Sequence, residues 1–60
     1  MNVKRLRLAR GLTQIELAKQ TQVSQGFIAQ LETGTQDNPT LATVRRLAKA
    51  LKVSVGELVE

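Results

Sequence analysis

Residues 13–32, TQIELAKQTQVSQGFIAQLE, hold two helix starts with only about one turn of chain between the helices they open. Thr13 and Glu16 stand at capping-box spacing, where the hydroxyl and the carboxylate can each satisfy an otherwise unpaired backbone donor. A helix is therefore predicted from Gln14, with Ile15, Leu17 and Ala18 inward and Glu16, Lys19 and Gln20 left for water. Ser24 is placed to cap a second helix whose first residues are Gln25 and Gly26. The rest of the chain must be arranged around this closely joined pair.

Placing residues 25–32 at about 100° each puts Ile28 and Leu31 on one side with Ser24 and Glu32, and Phe27 at the margin. The opposite side carries Gln25, Gly26, Ala29 and Gln30. An ordinary exposed helix face would carry Lys, Glu or Arg, which are good helix formers and solubilise. This uncharged face of two long amides and two minimal side chains suits close approach to a surface. A Gln amide donates and accepts in one plane and matches the N6 and N7 edge of adenine, while an Ala methyl can meet a thymine methyl. Taken alone, the two glutamines read equally well as polar surface residues.

Several blocks stand together in order: L6-R7-x-x-R10-G11-L12-T13-Q14-x-E16-L17-A18, V23-S24-Q25-x-x-I28-x-x-L31-E32-x-G34, N38-P39-T40-L41, and L47-A48-K49-A50-L51-x-V53-S54-x-x-E57-L58. With these the chain resembles the Cro/C1-type (lambda-repressor-like, XRE) helix-turn-helix family of bacterial and phage regulators over nearly all of residues 3–59. The resemblance implies an all-α, five-helix domain in which helix 3, about residues 24–32, enters the major groove and helix 2 crosses the backbone. Residues 13–32 match its helix-turn-helix motif. It makes Gln25, Gly26 and Gln30 base-reading positions, which the Ala29 methyl joins from the face reading above, and matches Thr13, Gln14, Thr33 and Thr35 to backbone-contacting positions; Phe27 and Asn38 complete the expected DNA-backbone set. Gln14 matches the glutamine that begins helix 2, which in the family binds a phosphate and can buttress the first glutamine of helix 3, here Gln25. Arg7 and Glu32 would form a structural ion pair tying helix 1 to the end of helix 3. Two departures stand out: Gln22 occupies a turn position that is usually Gly, and Gly26 replaces a side chain that is often long and polar.

Sixty residues make one small domain, expected over 1–60, with no material for a second core. Cys and His are both absent, which excludes disulfides and thiolate or imidazole metal sites, so no cofactor is expected. The net charge of +4 favours polyanions but is equally what solubility alone requires. No apolar run approaches the roughly 18 residues of a membrane span, and the basic start MNVKRLRLAR leads into no apolar leader, so a cytoplasmic place is expected.

Helix 1 is predicted over about Asn2 to Arg10, with Val3 and Leu6 inward, Gly11 as its stop and Leu12 as the staple to helix 2. Gly34 ends helix 3, and TGTQDNPT, residues 33–40, reads as a loop whose one charge is Asp37. Helix 4, capped by Thr40, shows an apolar stripe of Leu41, Val44, Leu47, Ala48 and Leu51. Its Arg45, Arg46, Lys49 and Lys52 read as a solvated face. A last short helix opens at Ser54, with a capping box completed by Glu57, and presents Val55, Leu58 and Val59. These three are the expected dimer interface, since related regulators dimerise through this end.

The expected function is sequence-specific binding of double-stranded DNA as a transcriptional regulator, a repressor, acting as a homodimer on a palindromic operator. The alternative is an antitoxin or other protein-interaction module of the same fold with a toxin as partner. An enzyme is not expected: Glu16, Glu32, Asp37, Glu57 and Glu60 offer no catalytic pairing, and no phosphate-cradling glycine loop is present.

Overall fold

Side-chain caps start four of the five helices, each at the residue whose type favours it. The Thr13 hydroxyl accepts the Glu16 N–H at 3.0 Å while the Glu16 carboxylate accepts the Thr13 N–H at 2.8 Å, a complete capping box. Ser24 accepts the Phe27 N–H at 3.0 Å, Thr40 the Thr43 N–H at 3.2 Å and Ser54 the Glu57 N–H at 3.0 Å. The box expected at Ser54 is only half made, because no bond returns from Glu57 to Ser54.

The computed structural model describes residues 1–36 and 38–60; Asp37 lies outside them. The helices are α1 (Val3–Ala9), α2 (Gln14–Thr21), α3 (Gln25–Thr33), α4 (Leu41–Leu51) and α5 (Val55–Val59), with no strand among the described residues. This is the all-α, five-helix architecture that the resemblance implies. α1 is one residue shorter at each end than its pattern suggests, and α3 extends one residue further, through Thr33. Among the described residues no helix is long and apolar enough to cross a membrane.

α2 packs on α3 and α4, α1 on the same two helices, and α5 on α4. Val3, Leu17, Ile28, Leu47 and Leu58 are fully buried, so each helix contributes at least one residue to a single core. α4 is the scaffold: Val44, Leu47, Ala48 and Leu51 are all buried.

Two apolar residues leave the pattern. Leu41 is 59% exposed, because it sits in the first turn of α4 at the margin of the stripe. Ile15 is 51% exposed. The buried arc of α2 is set by Leu17, Ala18 and Thr21, and at about 100° per residue Ile15 falls roughly 110° from its middle. The third inward position belongs instead to Thr21, whose hydroxyl, 1% exposed with its residue, donates to the Leu17 carbonyl at 2.7 Å. That local bond lets a polar side chain sit in the core.

The turn between α2 and α3 keeps its left-handed conformation without glycine: Gln22 has φ 60°. The Val23 N–H returns to the Ala18 carbonyl at 3.2 Å, and Val23 packs against the core. Lys52 repeats the arrangement after α4, with φ 58°, the Val53 N–H on the Ala48 carbonyl at 3.0 Å, and Val53 against the core. Each left-handed residue costs on the order of 1 kcal/mol, which the capped carbonyls and the half-buried valine packed on the core offset.

The expected dimer interface needs correction. Leu58 is 0% exposed inside its own subunit and Val55 is half-buried against the same core, so of the three only Val59 is exposed. The reason is a link that periodicity does not reveal. The Asn2 N–H donates to the Leu58 carbonyl at 2.8 Å and the Asn2 side-chain amide to the Glu57 carbonyl at 3.1 Å, holding α5 against the start of α1.

Candidate nucleic-acid interface

Gln25, Gly26, Gln30 and Thr33 are exposed on α3 and Ala29 is half-buried. At about 100° per residue the two glutamines sit at the edges of an arc of about 140°, with Ala29, Thr33 and Gly26 between them. Neither glutamine side chain has a hydrogen-bond partner within the protein among the described residues, so both amides are open to an external partner. Thr33 joins this arc because α3 runs one residue past the predicted end; its hydroxyl lies 3.1 Å from that of Thr35. Gly26 has no packing reason to be glycine. A Cβ there would meet only the Ser24 hydroxyl oxygen, at 4.0 Å, and its φ is not positive.

Thr13, Thr35 and Asn38 are exposed and surround this arc in sequence. Phe27 is half-buried against the core. With Val23, Gln36, Pro39 and Thr43 it lines a shallow cleft of about 430 Å³ between the starts of α3 and α4. A second cleft of about 400 Å³ lies away from the α3 arc, between the C-terminal turns of α2 and α4, lined by Gln20, Gln22, Arg46, Lys49 and Lys52. Cations at the end of α4 complement its carbonyl-rich terminus.

Beside the arc, Arg7 and Glu32 form a two-pronged ion pair. Arg7 Nε donates to Glu32 Oε2 at 2.7 Å and Nη2 to Oε1 at 3.1 Å, while Nη1 donates to the Leu12 carbonyl at 2.7 Å. One guanidinium thus ties α1, the α1–α2 turn and α3 together, and it does so buried, with its residue 8% exposed. The Leu12 bond was not legible in the sequence, since a backbone carbonyl carries no residue-type signal. Gln14 makes a contact within the protein that its expected role does not include. Its amide Nε2 donates to Glu32 Oε1 at 3.1 Å, not to Gln25, so the buttress implied for Gln25 is absent.

These contacts set the charge states. Burial pushes the Glu32 carboxyl up, but hydrogen bonds from Arg7 and Gln14 together with the Arg7 charge outweigh it and hold the group below the usual carboxylate range. The same bonds, donated by Arg7 to the Glu32 carboxylate, push the Arg7 guanidinium up, so it stays protonated throughout. Because the folded-state carboxyl lies below its unfolded value, its stabilisation is fully present above about pH 4 and is lost as pH falls through the folded value. Urea midpoints measured from pH 2 to 7 are expected to fall at the acid end. The fall is expected to be shallower in Glu32→Gln. Some acid sensitivity remains there, because the Thr13 N–H holds the Glu16 carboxyl low as well.

The helix-turn-helix family model matches residues 3–58. An uncharacterised HTH-type transcriptional regulator of Sinorhizobium fredii, y4dJ, is 47% identical over 58 residues, covering 97% of this chain and 74% of its own length. An uncharacterised HTH-type transcriptional regulator of Coxiella burnetii is 34% identical over 97% of this chain and 27% of its own length. The immunity repressor protein of Bacillus phage phi105 is 35% identical over 95% of this chain and 39% of its own length. The chain therefore spans about three quarters of the first of these relatives and well under half of the other two. No solved structure matches it. Five helices with the motif at α2 and α3, and a family match over almost the whole chain, make this protein a member of the Cro/C1-type helix-turn-helix family of transcriptional regulators.

Proposed function

We propose that the domain binds double-stranded DNA sequence-specifically, with α3 in the major groove and the first turn of α2 on the backbone, and acts as a repressor. The observation that carries this reading is the uncharged arc of exposed Gln25, Gly26 and Gln30 with half-buried Ala29 on the second helix of the motif. Two free amides there can read base edges, and the small residues between them let the helix come close. The 35% identity to a phage immunity repressor supports repression in particular.

Phosphate contact falls to hydroxyls, amides and backbone N–H groups at Thr13, Gln14, Thr33, Thr35 and Asn38, which position the helix without specifying sequence. Two copies on a palindrome would place their α3 helices about one DNA turn, roughly 34 Å, apart. Exposed Val59, with half-buried Val55, is the part of the α5 end that a second copy can reach.

Selection of bound duplexes from a random pool tests the reading. Enrichment of two symmetric half-sites is expected. With the +4 chain neutralising about 3–5 phosphates per subunit, roughly 6–10 for the pair, affinity for the winner should fall about 10³–10⁵-fold between about 50 and 200 mM salt. A pool that yields no enriched sequence would overturn it.

Gly26 gives a test with opposite signs. Gly26→Ala is expected to raise the melting temperature, since Ala is favoured over Gly in a helix by about 0.5–1 kcal/mol and the added methyl meets nothing closer than 4.0 Å. It should at the same time weaken binding of the selected duplex, because the methyl stands between the helix backbone and the bases. A gain in both would mean that the helix does not approach DNA closely at this point.

A further inference from the structure

We propose that Glu32 is a positioning residue for DNA binding: locked by Arg7, it orients the Gln14 amide so that one N–H is left to meet a backbone phosphate. This rests on the DNA-binding reading above and deepens it. The amide of Gln is ambiguous, because its oxygen and nitrogen ends are nearly alike in shape and opposite in hydrogen bonding. A carboxylate accepts but does not donate, so Glu32 Oε1, 3.1 Å from Gln14 Nε2, can only face the nitrogen end.

That contact removes the ambiguity. One N–H is spent on Glu32 and the second remains, with the carbonyl on the other branch of the amide. The carboxylate itself is held on both oxygens by Arg7, at 2.7 and 3.1 Å, and Arg7 is pinned by the Leu12 carbonyl. The side chains of the pair are only 9% and 3% exposed, so neither partner is free to swing.

Charge does not oppose this role. The negative carboxylate would repel a phosphate if it stood alone, but the bidentate guanidinium neutralises it. Gln14 is the first residue of α2, next to the capping Thr13, where backbone N–H groups at a helix start also favour an anion. Ordering the long Gln side chain before DNA arrives removes an entropic penalty from binding.

The test is a mutant cycle on the pool-selected duplex, using Gln14→Ala and the charge-neutral pair replacement Arg7→Met with Glu32→Met. Replacing both charges together avoids leaving an unpaired cation that would attract DNA for an unrelated reason. Gln14→Ala is expected to weaken binding about tenfold, the scale of one hydrogen bond to a charged acceptor. The pair replacement should weaken it several-fold, and the triple variant should bind no more weakly than Gln14→Ala alone. Losses that multiply, or a pair replacement that binds like wild type, would overturn the proposal.

A second readout needs no variant and no DNA. In the free protein the side-chain amide resonances of Gln14 should titrate with the Glu32 carboxyl. If they do not move, the orienting contact is absent. If the wild-type chain binds no duplex at all, the DNA reading fails instead, which is a different result from additive losses in a protein that binds.

Discussion

Leu58→Ala is expected to unfold a large share of the domain rather than merely to weaken self-association. Leu58 is 0% exposed and is the buried residue of α5. Removing a fully buried leucine to the β-carbon costs about 2–5 kcal/mol, through lost transfer energy and the cavity left behind. A chain of this size has roughly 0.05–0.15 kcal/mol of stability per residue, so the loss is comparable to the whole. Thermal unfolding followed by circular dichroism should show a midpoint lowered by at least about 10 °C. The neighbouring Val59→Ala is the contrast, because Val59 is 48% exposed and its truncation should change stability by less than about 0.5 kcal/mol. If the two variants melt alike, α5 is not part of the monomer core.

The second large effect falls on binding and leaves the fold untouched. Gln25→Ala with Gln30→Ala should reduce discrimination for the selected duplex by about 1–3 kcal/mol per lost bidentate contact, roughly 30-fold or more in all. Both side chains are exposed and make no internal hydrogen bond among the described residues, and Ala is the better helix former. The melting temperature should therefore hold or rise slightly. Affinity for unrelated duplex, and the slope of binding against salt, should stay as in wild type, since neither glutamine is charged. Competitive mobility shifts with specific and unrelated duplex separate these quantities. Equal binding of the selected duplex by wild type and variant would remove base reading from α3.

The same distinction separates what residue order could tell from what it could not. Caps at Thr13, Ser24, Thr40 and Ser54 were readable because each bond joins residues three apart, a spacing that helix geometry itself imposes. The exposed arc of α3 was readable for the same reason, and missed only Thr33 because the helix ran one residue further than its last apolar position suggests.

Periodicity went astray at Ile15, Leu41 and Leu58, where an apolar side chain's fate depends on which neighbour covers it. A wheel locates an arc on one helix; it does not say where the next helix ends. Ile15 and Leu41 lie in the first turns of α2 and α4 and reach water, whereas Leu58 is covered where α5 packs on α4, with Asn2, far away in sequence, bonded to its carbonyl.

By itself, then, the order of residues determined the number of helices, the starts of the four with side-chain caps, the apolar stripe of α4 and the amide face of α3, all of which follow from contacts within about four residues along the chain. Only the tertiary structure decided that Gln14 meets Glu32 and not Gln25, that Arg7 also holds the Leu12 carbonyl, and that Leu58 belongs to the core. Those pairings join groups brought together by packing, and packing is settled by the summed fit of all five helices, which no local spacing encodes.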